Sequence, residues 1–380
     1  MSQDKESSPK SLKRVDSAAK IALFYGFLPI EWPKITKGDI EVTREFEEEW
    51  YPMEKAAILR EFYDLKGISG SQPLMFFLEK KGRKTDKIEC ELVILGSQKS
   101  ISEVILIQTA RAILDNAGFR EISIRINSVG NKDNMAEFER KTGAFIRKRI
   151  ADFPAELRQN IKKDIFCLIK SKEEKYNEWR ESAPQSVDYL SEASRLHLKE
   201  ILEFIEAAGL SYIMDSSLIG DIRYSTETVF EIVSETSEEV LARGFRWNRL
   251  SKKIDNKKEV PAVSLSINIK ALKAQKFTII KKPEPKFYLV QFGPEAKQKS
   301  FFVLEKLRKV GVSVSHSLAK DKLASQISLA EQGGMPYIIL IGQKEAIDNV
   351  VVIRNTATRA QYTVPIEELP EFIKKSTEFK

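Results

Sequence analysis

The sequence predicts an α+β core with a mostly antiparallel sheet and a helical insertion, followed by a smaller three-layer α/β domain. Three observations carry this. Strand-like segments crowd the first part of the chain without strict alternation with helices, which favours an antiparallel sheet. A highly charged stretch from Asn131 to about Glu181 has helical spacing and no sheet pattern. After the lysine–proline stretch Lys281–Lys286, strands and helices alternate in the order βαβαββα.

The elements follow in chain order. Residues 1–14 are polar and mixed in charge and read as a disordered tail. "VDSAAKIALFYGF" has the spacing of a helix stopped at Gly26. "LPIEWPKI" is extended and punctuated by proline. "FEEEWYPMEKAAILREFYDL" carries apolar residues at helical spacing. "QPLMFFLEKK" and "KIECELVILGS" form a strand pair joined by the basic turn "KKGRKTD". "SEVILIQTARAILDNAGF" is an amphipathic helix ending at Gly118, and "REISIRINSVG" alternates as a strand does.

Beyond the insertion, "SVDYLSEASRLHLKEILEFIEAAGL" is a helix with a serine or aspartate cap, closed at Gly209. "SYIMD", "TVFEIVS" and "AVSLSINI" complete the first sheet. Residues 15–280 therefore form the core, 281–286 a linker and 287–380 the second domain. In that domain "VPIEELPEFIKK" is the closing helix.

At 380 residues, 42% hydrophobic and 31% charged, the chain has the composition of a globular protein. No apolar run is long enough to span a bilayer, and the N-terminus has no apolar signal segment. Cys90, Cys167, His197 and His316 are too few and too scattered for a structural zinc site, so no metal is expected. Two distant cysteines suit a reducing compartment, and a cytoplasmic protein is expected. Neither histidine has an acidic or nucleophilic neighbour in the sequence, which points to surface or packing roles. The net charge of +7 permits nucleic-acid binding without requiring it.

Several segments together resemble the histidyl-tRNA synthetases, a class II aminoacyl-tRNA synthetase family. "ISIRINSVGN" is similar to the family's "INSIG" strand and turn, and "GFRWNRL" stands where the family has "GGRYDGL". "VPAVSLSINIKAL" stands at its third class motif, "TPAVGFAIGIERL". "SSLIGDIRYSTETVFE" stands at the family's substrate loop, "LVRGLDYYTGTVFE". The resemblance implies a class II core and a C-terminal anticodon-binding domain.

It also implies where the chemistry should lie. Histidine activation needs arginines on the ATP phosphates and acidic residues on the amino group and imidazole. Aligned to the family, Phe77, Gly220 and Ala271 replace three of those arginines, so no catalytic residue is assigned. The histidine loop "RPEGT" becomes "YPMEK", with Met53 at the glutamate and Glu54 one place late. Glu79, Glu91, Arg223, Tyr224 and Lys270 complete what remains of the pocket. The resemblance thus implies a paralogue that keeps the scaffold, needs no cofactor, and binds tRNA or regulates. ATP and Mg would be required only by a divergent but active ligase.

By the same resemblance Lys320, Lys322 and Gln326 open a helix that faces the anticodon loop. Arg354, Asn355, Thr358 and Arg359 lie on the neighbouring hairpin. A regulatory role like that of the ATP phosphoribosyltransferase subunit is a further alternative. That relative lacks the second domain. Class II cores pair through their first motif, here "YGFLPIEWPKI", so a homodimer or a heterodimer with an active synthetase is expected, with neither membrane nor DNA as a partner.

Overall fold

The computed structural model describes all residues except 1–13, 47–50, 63–72, 80–85, 256–258, 271, 273–275, 277, 280–283, 319, 377–378 and 380. Its strands are β1 (Arg14–Val15), β2 (Leu28–Ile30), β3 (Leu74–Glu79), β4 (Lys87–Leu95), β5 (Ile122–Gly130), β6 (Ser211–Met214), β7 (Thr226–Ser234), β8 (Val240–Arg246), β9 (Ala262–Lys270) and β10 (Thr278–Ile279). The C-terminal part adds β11 (Phe287–Gln291), β12 (Val314–His316), β13 (Tyr337–Ile341), β14 (Val350–Asn355) and β15 (Gln361–Pro365).

Eight strands form one sheet in the order β2-β3-β4-β9-β8-β7-β5-β6. Only the two outermost pairings, β2 with β3 and β5 with β6, are parallel. The mostly antiparallel reading therefore holds. Alternation along each strand divides the sheet into two apolar faces. One face carries Phe77, Leu92, Ile94, Leu265 and Ile267, under the helices Ser17–Phe24, Ile101–Ala117 and Glu192–Ala207. The opposite face carries Phe76, Leu78, Val93, Val229 and Phe245, against the helices Pro52–Phe62 and Lys132–Arg149.

Helix ends follow the residues that cap them. Asn131 and Asn134 form a reciprocal capping box at Lys132–Arg149. Gly118 ends Ile101–Ala117 at φ 114°, a conformation that costs glycine little. The segment from Asn131 to Glu181 is helical, with a small core of its own formed by Ile146, Phe153, Leu157, Leu168 and Tyr176.

Two sequence expectations are corrected. Of the helix expected from Phe46 onward, residues 47–50 lie outside the described residues, Tyr51 is not helical, and the helix runs Pro52–Phe62. Tyr51 has a φ of 50°, and proline suits a first helical position because its missing N–H has no partner to lose. The C-terminal order gains a short helix, Gln343–Ile347, between β13 and β14, and a strand, because Gln361–Pro365 pairs antiparallel with β14 and the closing helix begins at Leu369. The second sheet runs β12-β11-β13-β14-β15, parallel at β12-β11-β13 and antiparallel beyond.

The two sheets share one apolar cluster, which runs from the helix-covered face of the core into the C-terminal domain. The Phe204 and Phe301 rings meet edge to face at 5.9 Å. Tyr25 Oη donates to Glu305 Oε2 at 2.6 Å, and Arg308 holds the same carboxylate. Lys99 of the core pairs with Asp321.

His316 ends β12 at this seam. Burial pushes its imidazole down to about 4 from an ordinary 6.5. An unfolded chain takes up that proton first as pH falls, so stability is full above about 6.5 and is lost toward 4. We expect a loss of about 2–3 kcal/mol over that window, removed in His316→Gln, as measured by urea unfolding between pH 7 and 4.

Candidate functional site

The middle of β4 and the start of the helix Pro52–Phe62 bring the pocket residues together. Glu91 points from β4 to the face shared with Leu78 on β3 and Ser266 on β9, which lie directly opposite it in the ladders. Lys55 enters from the helix, and its Nζ lies 3.0 Å from Glu91 Oε1. Ser266 Oγ donates to the other oxygen of Glu91. Both charged side chains are almost fully buried, at 2% and 4% exposure. The Lys55 ammonium also lies 5.1 Å from the Phe245 ring centre.

The free space beside this pair is about 20 Å³, lined by Trp32, Tyr51, Glu54, Glu91, Ser266 and Asn268. That is room for about one water molecule and far less than an amino acid needs. The buried acidic group of this pocket, Glu91, is thus already paired with a cation of the protein itself.

The substrate-like loop is closed in the same manner. Gly220 has a φ of 69°, and a Cβ there would meet Ser225 Oγ at 2.7 Å. Asp221 is buried and receives the Arg223 guanidinium on both oxygens, at 2.8 and 2.6 Å, as well as the Arg223 backbone N–H at 3.0 Å. The guanidinium lies over the Phe46 ring. The bidentate fork that could grip a phosphate is spent two residues away. Tyr224 packs between Phe46 and Phe245, with ring centres 4.8 and 5.7 Å distant.

Gly220→Arg, the change that restores the family residue, is therefore expected to destabilise the fold by more than about 1 kcal/mol, since a side chain at positive φ is strained. Thermal unfolding beside an activity assay checks this. A stable, active Gly220→Arg protein would refute this account of the loop.

Several expected site residues are placed elsewhere. Phe77 pairs with Leu92, so it faces the helix-covered side and lies fully buried there, away from Glu91. The residue of β3 opposite Glu91 is Leu78, because adjacent strand residues point to opposite faces. Glu79, opposite Cys90, is likewise directed away from Glu91. Met53 is not among the lining residues, whereas Glu54 is. Lys270 is exposed at the end of β9 opposite Lys87. Ala271 lies outside the described residues.

Sequence reasoning missed Lys55, and it missed a second buried ion pair. Arg246 donates to both oxygens of Glu103 at 2.7 Å, and also to the carbonyls of Ser97 and Lys99. Thr228 Oγ1 donates to Glu103 at 2.8 Å, and His197 Nε2 lies 3.0 Å from it. Burial alone would raise the Glu103 carboxyl, but Arg246 and His197 outweigh it and hold the group well below the usual range. His197 thus has an acidic neighbour, brought from 94 positions away. The one available signal was a charged residue at an inward phase of an otherwise apolar element.

On the C-terminal domain, Gln326 is fully buried and must be removed from the RNA-facing set. Its amide brackets Gln291, accepting from the backbone N at 3.1 Å and donating to the carbonyl at 2.7 Å. It also donates to the Lys320 carbonyl. A primary amide at an inward helix position pairs with backbone because burying it unpaired is costly.

Lys322 is exposed at the N-cap of the helix Leu323–Gln332. Arg354 lies opposite Ile338, on the sheet face against which that helix packs. Asn355 Oδ1 accepts from Ala357 N and Thr358 N, both at 3.0 Å, and Thr358 Oγ1 accepts from Ala360 N. Those two side chains shape the turn. Arg359 stands exposed on it at φ 61°. Lys320, half-buried ahead of the helix Leu323–Gln332, and Lys322, Arg354 and Arg359 remain as an exposed or half-exposed basic set.

Residues 286–376 match the family model described as "Anticodon binding domain". The histidine–tRNA ligase of Picosynechococcus sp. is 26% identical over 292 residues, covering 76% of this chain and 68% of that protein. The histidine–tRNA ligase of Geobacillus kaustophilus is 25% identical over 340 residues, 85% of this chain and 80% of its own length. The structure of apo histidyl-tRNA synthetase from S. aureus superposes with a TM-score of 0.50 at 17% identity, covering 94% of this chain and 93% of that one. This supports the fold assignment. Among the described residues, no helix is long and apolar enough to cross a membrane.

Proposed function

We propose that this chain is a member of the histidyl-tRNA synthetase family that no longer activates histidine and acts as a tRNA-binding or regulatory paralogue in the cytoplasm. The observation that carries this reading is the Lys55–Glu91 pair. A ligand ammonium or imidazolium would need the Glu91 carboxylate, which Lys55 occupies at 3.0 Å with room beside it for one water. Arg223, the nearest guanidinium in the substrate-like loop, is committed to Asp221. With that guanidinium committed, charge building on an α-phosphate loses a stabilising partner in this loop. ATP and Mg are accordingly not needed for this role.

The tRNA part of the proposal rests on the matched anticodon-binding domain and on Lys322, Arg354 and Arg359. Lysine and arginine would meet phosphates, and an unpaired loop would supply stackable bases. Retention of this domain counts against a role like that of the phosphoribosyltransferase regulatory subunit. A homodimer, or a heterodimer with an active synthetase, is part of the proposal and rests on the class II core.

Two measurements test it. Pyrophosphate exchange with histidine and ATP should stay at background, and exchange above it would establish an active ligase. RNA recovered with the gently purified protein should be enriched in one tRNA. Lys322→Ala with Arg359→Ala should weaken that binding and lower its salt slope by about one per lost phosphate contact. RNA no richer than the cellular background would shift the role to a protein partner.

A further inference from the structure

A second cavity, of about 130 Å³, lies at the seam between the core and the C-terminal domain, apart from the Glu91 pocket. Met75, Ile105 and Leu318 form its apolar wall, and His316, Ser317 and Lys320 its polar one. Its size is close to that of a cavity of about 150 Å³ known to hold benzene. Unlike such a cavity it is not purely apolar. The Nε2 atom of His316 is buried there without a hydrogen-bond partner. A buried polar atom left unpaired costs roughly 1–3 kcal/mol, so a partner in this space would be stabilising.

The charge of the lining selects the partner. Lys320 is its one ionic group among the described residues, and no carboxylate lines it. Nearby, Asp321 is shared by Lys99 of the core and Lys297 of the helix Pro294–Lys309, so the surrounding surface is cationic. The site is held in shape, because the Lys320 carbonyl accepts from Gln291 Nε2 at 2.8 Å and from Gln326 Nε2 at 3.2 Å. That gives the buried Gln326 a role: it fixes the loop that carries Lys320.

We propose that this seam cavity binds a short aliphatic carboxylate. The carboxylate accepts from Lys320, Ser317 and the His316 ring, and the alkyl body packs on Met75, Ile105 and Leu318. Because the ligand touches both domains, its binding tightens the seam.

The chain has two histidines, so ring resonances of the histidine-labelled full-length protein report the site directly, with His197 as an internal control. Titration with butyrate should shift the His316 signals saturably and leave those of His197 in place. The neutral amide, butyramide, should bind at least about tenfold more weakly, as should butyrate to Lys320→Gln. Ser317→Leu should abolish the shift by filling the space, with thermal unfolding used to confirm that the variant is folded. No saturation below about 100 mM butyrate would overturn the proposal. So would butyramide binding equal to that of butyrate, which would reveal an apolar void with no anion selectivity.

Discussion

Lys55→Met should lower the unfolding free energy by about 3–5 kcal/mol, an exceptionally large effect for one side chain. The substitution keeps the apolar stem and removes the cation, leaving the Glu91 carboxylate buried beside the Ser266 hydroxyl. The penalty comes mainly from that stranded charge, so the double variant Lys55→Met, Glu91→Leu should recover most of the loss. A small organic cation such as methylammonium should also recover part of it in the single variant, by entering the space the ammonium left. Urea unfolding with and without the additive reads all three. A single variant as stable as the parent would mean that the pair is solvated and the pocket open, and the proposed loss of histidine binding would lose its main support.

Glu103→Ala should cost a similar amount, about 3–5 kcal/mol, by stranding the buried Arg246 guanidinium. This pair joins the first turn of the helix Ile101–Ala117 to the end of β8, with Thr228 of β7 and His197 of a third element on the same carboxylate. It has a pH signature. The folded Glu103 carboxyl is held below its unfolded value, so its contribution is present above about pH 4.5 and is lost as pH falls below that toward the folded value. Glu103→Gln should therefore flatten the acid limb of the stability curve below about pH 4.5 while leaving the His316 window between about 6.5 and 4 intact. An unchanged acid limb in Glu103→Gln would show that another carboxylate governs it.

On the proposed loss of histidine activation, the pairs Lys55–Glu91 and Arg223–Asp221 fill the charged floor of the scaffold from within the chain. Glu91 and Asp221 are both buried, and each is satisfied by a cation of this same chain, Lys55 and Arg223. Buried carboxylates without partners would be costly. Substitutions that bring a cation into reach offset that cost, and at the same time they occupy the place of a ligand.

Most of the fold was legible in the sequence. Period-two alternation marked the strands of the large sheet, and 3.6-residue spacing with glycine stops marked the long helices, since both patterns are local. The family resemblance, carried by segments such as "ISIRINSVGN" and "TVFE", was likewise readable, because turn residues and buried strand residues stand in unbroken order. What the sequence could not determine was which way single residues face and which distant groups meet. Phe77 aligned with a phosphate-binding arginine, yet ladder register turns it to the helix-covered side and sets Leu78 opposite Glu91; a shift of one residue reverses the face. Gln326 looked like an RNA contact at a helix start and is instead buried against Gln291. Lys55 with Glu91, and Glu103 with Arg246 and His197, are separated by 36 to 143 positions, and only tertiary packing brings them within 3 Å. Local pattern sets the elements, because it acts through neighbours in the chain. The state of the pocket depends on charges that meet only when the sheet closes around them.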